Sequence, residues 1–347
     1  MDTTENKFTN TKRSGSDGSR GSDTNDTIIT VRPRLFKDII GRDKEKKSLS
    51  ILIESAKMRG DSVDHILFYG PPGLGKTSLS YVIANEMGVN IKITSGPAIE
   101  RTADLAAILT SLNKQDVLFI DEIHRLPKIV EEMLYPAMED FAFDIILGAG
   151  PSARTMRLEL ERFTIIGATT RLGLLSSPLR DRFGVTFRLD FYNDIEIGKI
   201  LKRSSDILNI SISDDAISEI ASRSRGTARV ANKLLRRVRD YSQVYKIKKI
   251  DSSTVLKAMS AHDIDKLGLD SLDIKLLKVV IEKFNGGPVG INTIAAALSE
   301  EISTVSDVCE PYLIQSGFLK RTSRGRIATK LAYDYLNLDY NEQLSFL

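Results

Sequence analysis

Tryptophan is absent from the chain, cysteine occurs once, at Cys309, and histidine only at His65, His124 and His262. A lone thiol excludes an internal disulfide and any cysteine-rich metal site, as is usual in a reducing compartment. The histidines stand far apart, without metal-ligand spacing, and read as structural. No apolar run approaches the ~20 residues that span a bilayer. The amino terminus lacks the apolar core of a signal peptide, so a cytoplasmic, non-membrane protein is expected. Neither sign of charge dominates, with 49 Lys and Arg against 46 Asp and Glu. Net charge therefore gives no argument for nucleic acid, and only local clustering can. At 347 residues the chain exceeds a single core and should divide into two or three domains.

What the chain does have is a phosphate loop. Residues 70 to 77 read Gly-Pro-Pro-Gly-Leu-Gly-Lys-Thr, a full Walker A motif, and Val117-Leu118-Phe119-Ile120-Asp121-Glu122 supplies the acidic strand end it requires. The run His65 to Tyr69 reads as a buried strand and Ser78 to Met87 has helical spacing, so the loop sits at a strand-to-helix turn. There Gly70, Gly73 and Gly75 let successive N–H groups turn toward phosphate oxygens, with the helix N-terminus adding partial positive charge. Lys76 is expected to bridge the β and γ phosphates of ATP and the Thr77 hydroxyl to ligate Mg2+. Asp121 is the second oxygen contributor, from a strand expected to end beside the loop, and Glu122 is placed to polarise the attacking water.

Further along, Phe163 to Thr170 is an apolar strand ending in hydroxyls, so Thr170 or Thr169 is a candidate sensor of the γ phosphate. Ser177 to Gly184 offers Arg180 and Arg182, either one a candidate arginine finger for a neighbouring subunit or half of an Arg–Asp surface pair. Arg229 opens a helix, where a cation opposes the helix dipole, which points to a bound phosphate. Arg223, Arg225, Arg236, Arg237 and Arg239 nearby also fit a solvated basic face.

Residues 1 to 28 are polar, with Phe8 the one aromatic, and are expected to form a disordered tail. From 29 to 192, strand-like runs at 66–69, 90–94, 117–120, 163–168 and 185–189 alternate with helical patterns, the mark of an α/β domain with a parallel sheet. From 193 to 263 the strands vanish and helical spacing fills 194–208, 214–224 and 227–244, a small all-helical domain. From 264 to 347, a helix over 272–284, short helices over 291–298 and 302–316, and a hairpin over 317–329 predict a winged helix. Lys320, Arg321, Arg324, Arg326 and Lys330 fall within eleven residues with no acidic neighbour, a cluster suited to the phosphates of duplex DNA. A solvated basic turn, or a wing that touches protein, is the other reading.

Arg32-Pro33-Arg34-Leu35, Gly88-Val89-Asn90, Leu134 to Asp140, Ser177 to Gly184 and Glu310 to Leu319 are together similar to the RuvB family of Holliday junction branch migration ATPases, within the AAA+ superfamily. The likeness runs from Val31 to about Leu336. Clamp loaders share the ATPase core but not this winged-helix sequence. The length of the match sets a clamp loader, or a DNA-binding regulator with a slow ATPase switch, below the motor. The resemblance implies an AAA+ P-loop domain, a small helical lid and a C-terminal winged helix. It implies a homohexameric ring that uses ATP to drive duplex and four-way junction DNA in recombination and repair, with RuvA holding the junction and RuvC cleaving it.

Position by position, the resemblance places Val31 and Arg32 at the adenine, Gly73, Lys76, Thr77 and Ser78 at the phosphates, and Tyr192 at the nucleotide where the large and small domains hinge. Glu139, Asp140 and Phe141 are expected at the nucleotide as well. Arg182 matches the finger better than Arg180, Arg229 matches sensor 2, and Arg321 and Arg326 match DNA contacts. The segment 141–160 resembles the hairpin that docks RuvA, although its composition fits an insertion packed on its own domain equally well. Two departures stand out: Ala228 where the family usually has Pro, and Glu161-Arg162 where it tends to have a proline pair. Neither removes a catalytic group.

Overall fold

The computed structural model describes residues 31–147 and 154–340. The expected tail and the hairpin tip Gly148-Ala149-Gly150-Pro151 lie outside the described residues. Pro33–Leu347 forms one compact unit, while Val31 and Arg32 fall in a separate unit, Met1–Arg32.

The described strands are β1 (Ile66–Tyr69), β2 (Ile91–Ser95), β3 (Val117–Asp121), β4 (Ala142–Leu147), β5 (Arg154–Glu159), β6 (Thr164–Thr169), β7 (Val185–Arg188), β8 (Leu319–Thr322) and β9 (Gly325–Ala328). Five of them make a parallel sheet in the order β2-β3-β6-β1-β7. Parallel strands need crossovers, so helices cover both faces and the central strands read as unbroken apolar runs. Successive side chains point to opposite faces. Leu67, Leu118, Ile120 and Ile165 enter one core with Val130 and Leu134 of the helix Lys128–Glu139. Ile66, Phe68, Val117, Phe119 and Ile166 enter the other, against Leu49 and Ile53 of the helix Asp43–Arg59 and Leu79 and Ile83 of the helix Lys76–Met87. Each such fully buried side chain contributes about 1.5–3 kcal/mol.

β3 ends at the edge that carries the phosphate loop, close enough for Asp121 to act on Lys76, as expected, but it is not the neighbour of β1 in the sheet. β6 is hydrogen-bonded to both β1 and β3 and separates them. The pairings Tyr69↔Thr169 and Ile120↔Gly167 bring the ends of β1, β6 and β3 to one edge. This carboxyl edge is where parallel sheets bind ligands.

β4 and β5 form an antiparallel hairpin that leaves the helix Lys128–Glu139. The lid consists of helices Asp194–Ile207, Asp214–Ser222, Ala228–Val244 and Ser252–Ser260 around Leu201, Ile220, Leu235 and Val255. Each starts on a side-chain cap, from Asn193, Ser213, Thr227 and Asp251. The fourth helix was not among the elements expected from periodicity. In the winged helix, Ser271–Lys278 runs into a π segment Val279–Lys283, Ile291–Leu298 follows, and a continuous helix Ile302 to Gln315 contains a π segment Val305–Cys309. β8 and β9 form the wing, and a Val289↔Arg326 bridge attaches a third extended segment. No helix among the described residues is long and apolar enough to cross a membrane.

Candidate active site

At the carboxyl edge of the sheet, the loop between β1 and the helix Lys76–Met87 packs against the lid. Gly73 has φ 81, and a Cβ there would lie 2.9 Å from Cβ of Arg229, so the position accepts only glycine. The Arg229 backbone N–H donates to the Gly73 carbonyl at 3.3 Å, which ties the first turn of the helix Ala228–Val244 to the loop. Lys76 is 7% exposed, and its Nζ donates to the carbonyls of Gly70 at 2.7 Å and Pro71 at 2.9 Å. Burial pushes the Lys76 ammonium down to about 8, while Asp121 and Glu122 pull it back up and Arg229 and Arg42 lower it further. Two carboxylates and two guanidiniums therefore surround one lysine. Thr77 and Ser78 follow in the first helical turn, both half-buried. Thr77 and Asp121 carry oxygens of the kind that a magnesium ion takes, an ion with few protein ligands that retains its waters.

Glu122 has φ 49 and ψ 42, left-handed backbone that an L-residue adopts at a cost. Its N–H donates to Asp121 Oδ1 at 3.0 Å. His124 stands beside it, with Nε2 3.5 Å from Glu122 Oε2 and Nδ1 2.9 Å from Thr169 Oγ1. Thr169 is fully buried and also accepts from the Arg171 N–H at 3.0 Å, whereas Thr170 is half-buried at the strand end. Of the two hydroxyls considered as sensors, Thr169 is held inside the protein and Thr170 sits at the edge. His124, read as merely structural from its isolation in sequence, belongs to this site.

The sequence reading also missed Arg42. Its Nε donates to the Tyr192 hydroxyl at 3.0 Å, its Nη2 to the carbonyls of Leu74 at 3.2 Å and Asp190 at 2.8 Å, and its guanidinium lies 4.3 Å from the Tyr192 ring centroid. The Tyr192 N–H donates to the Gly226 carbonyl at 2.9 Å, so loop, hinge and lid share one network. A signal existed. Arg42 is the N-cap of the helix Asp43–Arg59, an unfavourable place for a cation, as is the helix start that drew attention to Arg229.

A second patch gathers Arg182, Glu139, Asp140 and Phe141. Arg182 donates from Nη1 to the Pro178 carbonyl at 2.7 Å and from Nη2 to Glu139 Oε2 at 3.0 Å, and it lies over the Tyr135 ring at 4.4 Å. Its Nε is buried without a partner. Asp140 pairs with Arg157 at 2.9 Å. Phe141, at φ 52, meets Phe163 edge-on at 5.6 Å and lies under Arg162. Arg180 is more open, with Asp181 at 4.0 Å.

On the wing, the two arginines expected at DNA part company. Arg321 is exposed on β8. Arg326 is turned inward, its Nε and Nη2 donating to the two carboxylate oxygens of Glu310 at 2.9 and 3.0 Å, with side chains 13% and 6% exposed. The physical reason is Glu310 itself, a buried carboxylate that requires a counter-charge.

Family models match three consecutive parts of the chain: the Holliday junction DNA helicase RuvB P-loop domain over residues 31–189, the RuvB AAA lid domain over 192–265 and the RuvB C-terminal winged helix domain over 266–337. The Holliday junction branch migration complex subunit RuvB of Dehalococcoides mccartyi is 59% identical over 311 residues, covering 90% of this chain and 89% of that protein. The solved Thermotoga maritima RuvB Holliday junction branch migration motor is 50% identical with a TM-score of 0.82, covering 90% of this chain and 100% of that one. A point variant of the Thermotoga maritima protein matches at 50% identity and a TM-score of 0.83, covering 90% of this chain and 99% of that one.

Proposed function

The chain belongs to the RuvB family, and on that footing we propose that it is an ATP-driven motor that moves the branch point of four-way DNA junctions. The observation that carries this reading is the junction of loop and lid, where the Arg229 N–H reaches the Gly73 carbonyl and Lys76 lies among Asp121, Glu122, Arg229 and Arg42. A nucleotide bound there touches both domains at once, so its state sets the angle between them at Tyr192.

In this reading Gly73, Lys76, Thr77 and Ser78 hold the phosphates of ATP, and Thr77 and Asp121 would hold Mg2+. Magnesium would neutralise charge on the β and γ phosphates. Glu122 polarises the attacking water and Thr170 reads the γ phosphate. Arg182 acts on the next subunit's nucleotide, with Glu139 and Tyr135 fixing its direction and Asp140 and Phe141 completing that face. Hydrolysis then requires assembly, which fits a homohexameric ring. The wing, through Arg321, grips duplex phosphates with little sequence preference. The β4–β5 hairpin is the docking element for RuvA, and RuvC acts on the same junction, in the cytoplasm.

The test is ATP-dependent dissociation of a synthetic four-way junction, with and without RuvA, and with Lys76→Ala as control. Dissociation that needs RuvA and disappears in the variant supports the motor and its partner together. DNA-stimulated hydrolysis without dissociation would overturn the motor reading in favour of a switch or a loader.

A further inference from the structure

The loop leaving β6 connects the catalytic edge with the winged helix. Arg171 follows Thr170, and its Nη2 donates to Asp307 Oδ1 at 2.5 Å and to Ser306 Oγ at 3.4 Å, partners 136 and 135 residues away. The Ser306 hydroxyl in turn donates to Asp307 at 2.7 Å. Both partners stand on the helix that runs from Ile302 to Gln315, the second helix of the helix-turn-helix.

The same arginine is bonded to the catalytic edge through its backbone. Its N–H donates to Thr169 Oγ1 at 3.0 Å, Thr169 Oγ1 lies 2.9 Å from His124 Nδ1, and His124 Nε2 lies 3.5 Å from Glu122 Oε2. Counting protons gives the chain a direction. Thr169 accepts from Arg171, so its own proton can go to His124 Nδ1, and a neutral imidazole then presents Nε2–H to the Glu122 carboxylate. Burial favours that neutral imidazole, against the pull of Glu122 and Asp307 and with the help of Arg171 and Arg125. Thr169 is wholly buried and fixed to the sheet, so the chain has a rigid middle and two ends that can move. One end is Glu122, on left-handed backbone. The other is the Arg171–Asp307 pair, with side chains 45% and 49% exposed. A pair so open to solvent adds little to stability, which leaves position as its main effect.

Resting on the reading of Glu122 as the group that polarises water, we propose that His124 is a positioning residue for Glu122, and that the Arg171–Asp307 contact places His124 under the control of the winged-helix domain. DNA held by that domain then alters hydrolysis in the same subunit, by making or breaking the contact on the helix that carries Asp307. Nucleotide binding, which uses Lys76 and Thr77, is not part of this chain.

The experiment is steady-state ATP turnover by the full chain, with and without duplex DNA, for Arg171→Asp, Asp307→Arg, the double reversal, His124→Phe and Glu122→Gln. Each single reversal should lower DNA-stimulated kcat about ten-fold with KM for ATP changed by less than about two-fold, the mark of an interaction outside ground-state binding. The double reversal should regain most of the loss. His124→Phe keeps the bulk and loses both bonds, and should lower kcat with KM unchanged. The charge reversals test the coupling independently should His124→Phe fail to fold. Single reversals with normal kcat and normal DNA stimulation, or a double reversal no better than its parents, would overturn the proposal. Full turnover by Glu122→Gln would instead remove the catalytic assignment on which it rests. An inactive Glu122→Gln beside unaffected reversals would sink the coupling alone.

Discussion

Arg229 and Gly73 are joined by a main-chain hydrogen bond of 3.3 Å, so the lid helix is fastened to the phosphate loop and not merely adjacent to it. A methyl group at Gly73 would stand 2.9 Å from Cβ of Arg229 on a backbone with φ 81. Gly73→Ala should weaken ATP binding about ten-fold or more, since both the loop path and the lid contact are disturbed. Calorimetric titration with a non-hydrolysable ATP analogue checks this, and wild-type affinity would show that the lid contact is dispensable for binding.

The Arg42–Tyr192 pair separates stability from binding. Tyr192→Phe retains the ring beneath the guanidinium and loses the hydroxyl, which accepts from Arg42 Nε at 3.0 Å and donates to the Leu74 carbonyl at 3.4 Å, about 1 kcal/mol of stability. Arg42→Ala removes the Arg42–Tyr192 bond and also takes the guanidinium donor from the carbonyls of Leu74 and Asp190. It should cost about 2 kcal/mol or more and weaken nucleotide binding as the loop loosens. Urea denaturation of the two variants should rank them in that order.

Arg326 and Arg321 should behave oppositely. Glu310→Ala or Arg326→Ala breaks a largely buried, doubly bonded pair and should cost about 3–5 kcal/mol. Arg321→Ala should leave stability unchanged, weaken duplex binding, and lower the salt dependence of that binding by about one phosphate contact. An Arg326→Ala protein with normal stability and impaired DNA binding would return Arg326 to the DNA surface.

The sheet was legible because parallel strands buried on both faces are written as unbroken apolar runs, and all five core strands fall within a residue or so of the expected stretches. The order of the strands was not legible, since nothing in a run of Val, Leu and Phe says that β6 lies between β1 and β3. Arg42 and Tyr192 are 150 residues apart, and His124 and Thr169 are 45 apart, so no local pattern joins them. Arg326 was assigned with its basic neighbours because Glu310 sits 16 residues upstream on a helix whose inward face only packing reveals. The helix Ser252–Ser260 is short, and its clearest mark in the sequence is the single Asp251 cap.

Where lid meets winged helix, Arg225 donates to Asp273 Oδ2 at 2.6 Å and to the Gly268 carbonyl at 2.8 Å, and the Asp273 side chain is 1% exposed. Burial pushes the Asp273 carboxyl up to about 6 from 3.8, although Arg225 opposes the rise. The folded protein thus keeps this proton to higher pH than the unfolded chain. Its contribution is full below the unfolded value and is lost as pH rises through about 6, an effect on the order of 1–3 kcal/mol. Relative to Asp273→Asn, the wild type should lose stability between about pH 4 and pH 7. Thermal melts of both proteins across that range check the sign, and a constant difference would show that Asp273 does not titrate there.

The left-handed backbone at Glu122 has a consequence for how far this enzyme can be stabilised. A side chain held at φ 49 forgoes about 1 kcal/mol that glycine in the same place would not. Glu122→Gly should therefore melt at least as high as Glu122→Ala, and both should be inactive. The chain thus keeps an L-residue on backbone that glycine would fit better, at the position proposed to polarise water.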